Sequence, residues 1–143
     1  MTAKTFALIV GLVYLTFGAL GFVPPFVSVP TDAMPALRIS AFHGYLFGLF
    51  PVNFMDNLAY LAIGAWGLAA TRSAGGARAY AGAMAALFGA LTVLGLMSAT
   101  RTLFGMMPIY GNDVWLHAGT SIVAVMCWVA LKGAGYIEPK PAH

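Results

Sequence analysis

The chain has 143 residues, 61% hydrophobic and only 8% charged, with a net charge of +3 from 7 basic and 4 acidic side chains. A soluble domain carries about a quarter charged residues to coat its outside, so this composition excludes a water-facing shell and points to an integral membrane protein. The basic residues stand singly between apolar runs, without a patch or interleaved aromatics, which excludes nucleic-acid binding and leaves them a topogenic role.

A helix needs about 20 largely apolar residues to cross a bilayer, and four such runs predict an all-α membrane domain over 1–143, with spans at 5–23, 52–70, 79–98 and 114–131. The first ends at Pro24-Pro25, which remove donors and restrict the preceding residue. It is long for a cleaved leader and lacks a small-residue cleavage site, so it is expected to stay. The second span opens at Pro51 and closes before Arg72; the third lies between Arg78 and Arg101, the fourth between Asp113 and Lys132. TRSAGGAR (71–78) reads as a tight glycine-rich turn joining antiparallel neighbours. Span three carries Ala81, Ala85 and Gly89 on one row and Gly82, Ala86 and Ala90 on the next, and small residues at that spacing let helices approach closely in lipid. It is therefore expected to be the most protein-buried helix. Cys127, the lone cysteine, excludes an intrachain disulfide and reads as a small apolar filler in the last span.

With four spans, Lys4, Arg72, Arg78, Lys132 and Lys140 fall on one side and Arg38 and Arg101 on the other. That bias predicts both termini in the cytoplasm and a multi-pass protein of the bacterial inner membrane. The tail 136–143, with His143 at its end, is expected to be disordered.

The phrase LFGLFPV (46–52) returns fifty-seven positions later as LFGMMPI (103–109), each copy followed at the same offset by an aspartate, Asp56 and Asp113, and then by Tyr60 or His117. A weaker echo, FGAL, occurs at 17–20 and 88–91. The simplest account is a duplicated helical hairpin, two copies pointing the same way about an axis along the membrane normal. The difference in offset makes the first outer loop longer, and its ALRISAFHGYLFGLF stretch (36–50), aromatic and nearly uncharged, reads as an interfacial or re-entrant segment.

Within the phrase, proline suits a first helical turn, and Asp56 and Asp113 fall where the helix dipole favours a carboxylate. A helix-start role alone would explain both. A spacing of four also puts Asp56 with Tyr60, and Asp113 with His117, on single helix faces. If the hairpins meet about the axis, Asn53, Asp56, Asn57 and Tyr60 of one span can join Asn112, Asp113 and His117 of the other in a polar cluster at the outer end. His117 lies about one turn below the interface, where an ionisable group should be paired and turned inward. The cluster reads as a structural lock or a ligand site. His117 is a candidate ligand for haem or (bacterio)chlorophyll, although no cofactor is expected and no metal site is indicated. His43, in the outer segment, could assist.

GLFPVNFMDNLAY (48–60) and NDVWLH (112–117) resemble the phrases that open the second and fourth helices in a family of small bacterial four-helix membrane proteins, the domain of unknown function 4383. Asn53, Asn57, Asp113 and His117 match its pattern; Asp56 and Tyr60 stand where histidines are usual, Phe54 where proline is and Val114 where asparagine is. A histidine-built metal site would be depleted by these departures, whereas a hydrogen-bonded cluster would survive them. The resemblance implies the fold and no activity.

No Ser-His-Asp order, HExxH, phosphate loop or cysteine pair occurs, so no enzyme is expected. Small size and short loops point to a non-catalytic structural or accessory subunit of a larger membrane complex, respiratory or photosynthetic, with other membrane subunits and the bilayer as partners. The alternative is a proton or small-solute carrier using the Asp/His/Tyr cluster.

Overall fold

The computed structural model describes residues 1–29 and 34–130. Four helices account for most of them: α1 (Ala3–Leu20), α2 (Phe54–Ala70), α3 (Ala74–Leu96) and α4 (Asn112–Ala130). α1, α3 and α4 are long and apolar enough to cross a membrane. α2, at 17 residues, is the shortest of the four. The expected C-terminal tail, together with Pro30, Lys132 and Lys140, lies outside the described residues.

α1 packs chiefly on α2 and α3 on α4, with lighter contacts from α1 to α3 and α4 and from α2 to α3. The first interface is a glycine seam. A Cβ at Gly64 would stand 2.5 Å from the Leu15 nitrogen and 2.7 Å from the Gly11 oxygen, and one at Gly67 would stand 2.8 Å from the Ala7 oxygen. Backbone lies directly on backbone there, the van der Waals contact on which helix association in lipid depends. The small-residue rows of α3 do not make it the most buried helix: 28% of its apolar window is buried, against 33% for α1. Of the second small-residue row, Gly82 faces Trp128 of α4, whereas Ala86 and Ala90 are exposed. Tyr14, Phe6, Tyr80, Met84 and Phe88 fill the centre, with Tyr14 stacked on Phe88 at 5.0 Å.

The turn between α2 and α3 is shorter than TRSAGGAR. Ser73 caps α3 by accepting from the Gly76 N–H at 2.9 Å, so Gly75 and Gly76 belong to the first helical turn and only 71–73 lie between the helices. A serine N-cap satisfies one of the donors orphaned at a helix start.

The two long connections lie at the opposite end. The first carries a three-stranded antiparallel sheet, β1 (Val27–Ser28), β2 (Gly44–Leu46) and β3 (Phe50–Val52), in the order β1-β2-β3. Leu46 pairs with Val27 on one side and Phe50 on the other. The two copies of the phrase differ in secondary structure, strands β2 and β3 in the first and a single 3-10 turn over Leu103–Gly105 in the second, but share part of a turn. Gly48 N–H donates to Tyr45 O and Leu49 N–H to Leu46 O; fifty-seven positions on, Gly105 N–H donates to Thr102 O and Met106 N–H to Leu103 O. Phe47 and Gly48 hold φ of 55° and 71°, Phe104 and Gly105 hold 59° and 87°. Pro51 and Pro108, Val52 and Ile109, Asp56 and Asp113, and Tyr60 and His117 are all buried.

A buried Tyr–Asp–His group joining two helix starts

The two aspartates that follow the repeated phrase do different work. At α2, Asn53 is the N-cap. Its Oδ1 accepts from the N–H groups of Met55 and Asp56, and Asp56 Oδ2 accepts in return from the Asn53 N–H at 3.1 Å. This reciprocal capping box satisfies two orphan donors and commits Asp56 to its own helix. The residue three before Asp113 is Tyr110, which cannot serve that role, and the Asp113 carboxylate turns across the bundle instead. The Tyr60 hydroxyl of α2 donates to Asp113 Oδ1 at 2.9 Å, and His117 Nε2 lies 3.3 Å from Oδ2, without the alignment of a hydrogen bond. Asp113 is 0% exposed and His117 1%.

The surroundings hold this group in place. The His117 ring packs against Phe88 of α3 at 5.1 Å, and the Tyr60 ring against Tyr14 of α1 at 5.1 Å. The Tyr14 hydroxyl in turn meets Thr120 Oγ1 at 3.0 Å, and Thr120 donates to Leu116 O. All four helices thus contribute to the walls. His117 Nδ1 is buried without a hydrogen-bond partner.

Of the seven residues expected to cluster, three come together directly: Tyr60, Asp113 and His117. Asn53 joins the connections rather than the group, its amide donating to Ile39 O at 2.9 Å and to Met106 O at 2.7 Å. All its hydrogen-bonding directions are used. Asn112 donates to Leu49 O at the surface, tying the start of α4 to the β2–β3 turn. Asn57 is fully buried against Gly21, at the end of α1, and neither polar atom of its side chain has a hydrogen-bond partner. His43 lies apart from His117, beside a cavity of 160 Å³ bordered by Gly21, Pro24, Val27 and Phe42, and burial lowers its pKa. Among the described residues, no three His, Cys, Asp or Glu side chains gather as a metal-binding group.

Tyr60→Phe removes one hydroxyl and leaves the packing. It is expected to cost about 1–3 kcal/mol, the range for a buried hydrogen bond to a carboxylate. The midpoint of unfolding in mixed detergent micelles measures this; a shift equivalent to less than about 0.5 kcal/mol would show that the Tyr60–Asp113 bond does not hold the helices together.

The fold and its enclosed side chains define a small helical membrane protein with a Tyr–Asp–His group buried at one end of the bundle. The sequence model for the domain of unknown function DUF4383 matches residues 4–130, and the chain belongs to that family. No curated protein and no solved structure matches it.

Proposed function

We propose that the protein is a non-catalytic, four-span membrane component that serves a larger membrane assembly, and that Tyr60, Asp113 and His117 lock its two halves together. The observation that carries this reading is the Tyr60–Asp113 bond, made between α2 and α4 with every participant buried. A buried polar group of this kind specifies one arrangement of helices that otherwise meet through apolar contacts. α2 is taken as the fourth span, since 17 residues is the lower end of what crosses a bilayer. Two copies of one hairpin account for the matched turns, their shared left-handed phenylalanines and the matched burial that follows them. Both termini then lie in the cytoplasm, and the two long connections face the outside of a bacterial inner membrane.

The carrier reading has less support. Inward of the Tyr14–Thr120 pair the core passes through Phe6, Ala77, Tyr80, Ala81 and Met84, a packed and largely apolar path. Haem or chlorophyll ligation by His117 would require a macrocycle to reach an imidazole that is 1% exposed and packed against Phe88. The test is extraction of the native membrane in mild detergent. The protein is expected to migrate with a reproducible set of companion polypeptides, at a mass well above its own 15.0 kDa. A lone monodisperse monomer would remove the assembly reading, and a visible absorption band in that monomer would restore the pigment variant.

A further inference from the structure

Among the described residues, the end of the bundle that carries both connections exposes charge of one sign. The acidic side chains among the described residues, Asp56 and Asp113, are buried, whereas Arg38 and Arg101 are exposed. Far apart in sequence, the two arginines border one turn. The Arg38 N–H donates to Gly105 O at 2.7 Å, and the Arg38 stem lies so close that a Cβ at Gly105 would meet its Cγ at 3.0 Å. Arg101 O accepts from the Ile109 N–H across the base of the same turn, and its guanidinium stands 6.0 Å over the Tyr110 ring. At the tip is Phe104, 69% exposed at φ 59°, after Leu103 at φ 44°, with exposed Met106 beyond. L side chains disfavour that backbone, and such outliers persist only where the surrounding structure holds them.

The sister turn provides an internal comparison. It shares the left-handed Phe-Gly pair, but Leu46 lies in β2 where the second turn has left-handed Leu103. Its Phe47 ring packs against Phe17 at 5.7 Å and Phe26 at 6.2 Å, and Gly44 stands where the second turn has Arg101. The second turn alone presents an aromatic ring and a thioether beside two guanidinium groups. Guanidinium binds phosphate oxygens in bidentate fashion, and aromatic side chains favour the depth of lipid headgroups.

We propose that the Arg101–Met106 turn, with Arg38, binds the phosphate headgroup of an anionic phospholipid. Arg38 and Arg101 hold the phosphate, and Phe104 and Met106 enter the apolar edge beneath it. This rests on the helices spanning a bilayer and is independent of any assembly partner. Native mass spectrometry of the full chain, offered phosphatidylglycerol and phosphatidylcholine with identical acyl chains, tests it. The expected result is retention of phosphatidylglycerol over phosphatidylcholine by about fivefold or more, in keeping with two cations at a lipid surface. That preference is lost in the Arg38→Gln/Arg101→Gln double variant, whose exposed side chains leave helix content and unfolding midpoint unchanged. Phe104→Asn is an independent arm: asparagine tolerates left-handed backbone, so the fold is kept while phosphatidylglycerol retention falls. Equal retention of both lipids by the wild type, an undiminished preference in either variant, or an acidic polypeptide found on the turn in place of lipid would overturn the proposal.

Discussion

Replacing Gly64 with leucine is expected to cost about 3 kcal/mol or more, the upper end for overpacking, and to leave little folded protein in the membrane. The reason is what the added atoms would meet. A Cβ at this position comes within 2.5–2.8 Å of the Leu15 nitrogen, the Gly11 oxygen and the Leu15 Cα, all backbone, which cannot rotate aside as a side chain could. α1 and α2 would have to separate along their length, and the contacts made by Gly11, Gly67 and Ala7 would open with them. Gly119→Ala is the matched control, because a Cβ there meets nothing within 4 Å. It is expected to be neutral or to gain up to about 1 kcal/mol from helix propensity. Unfolding midpoints of the two variants in one detergent system measure the contrast. Similar midpoints would show that the glycine seam is not what holds α1 to α2.

The second large effect is expected at Asn53. Asn53→Ala removes the cap of α2, worth about 0.5–2 kcal/mol, and takes the amide donor from the carbonyls of half-buried Ile39 and exposed Met106, about 0.5–1.5 kcal/mol for each bond lost. Solvent reaches both carbonyls once the amide is gone, so a total near 2–4 kcal/mol is expected. Asn53→Asp separates the two roles: a carboxylate still caps the Met55 and Asp56 N–H groups but cannot donate to either carbonyl. It should recover only the capping share. If alanine and aspartate behave alike, the cap contributes nothing and the bonds to Ile39 and Met106 carry the whole loss. If aspartate restores full stability, they are dispensable.

The helices were legible because apolar runs of this length, bounded by proline and arginine, have few other uses. Their ends were less so. Ser73 starts α3 well before the predicted boundary, since a serine cap outweighs the glycines that follow it. The sheet could not be read at all: strands of two or three residues are too short to show alternation, and they form because the chain doubles back at Gly48. The α1–α2 seam was missed for a different reason. The alanine-rich rows of α3 are the denser small-residue pattern, while Gly11, Gly64 and Gly67 are spaced along two helices and acquire meaning only when those are laid together. The spacing of four between Asp113 and His117, and the repeat that aligns Tyr60 with His117, made the central group legible. The unequal fates of the two aspartates were not foreseen, since both read as helix-start residues. The signal that separates them is the residue three positions earlier, asparagine before Asp56, which makes a capping box, and tyrosine before Asp113, which does not.

That inequality bears on the order in which the protein can be made. α1 and α2 can zip together as soon as both have left the ribosome, since their contact needs only each other's backbone. The polar end of that pair stays incomplete, because Asn53 awaits Met106 O and Tyr60 awaits Asp113, and these are synthesised about fifty residues later. The nascent first half therefore holds unspent hydrogen-bond donors near the membrane surface until the last helix arrives to accept them.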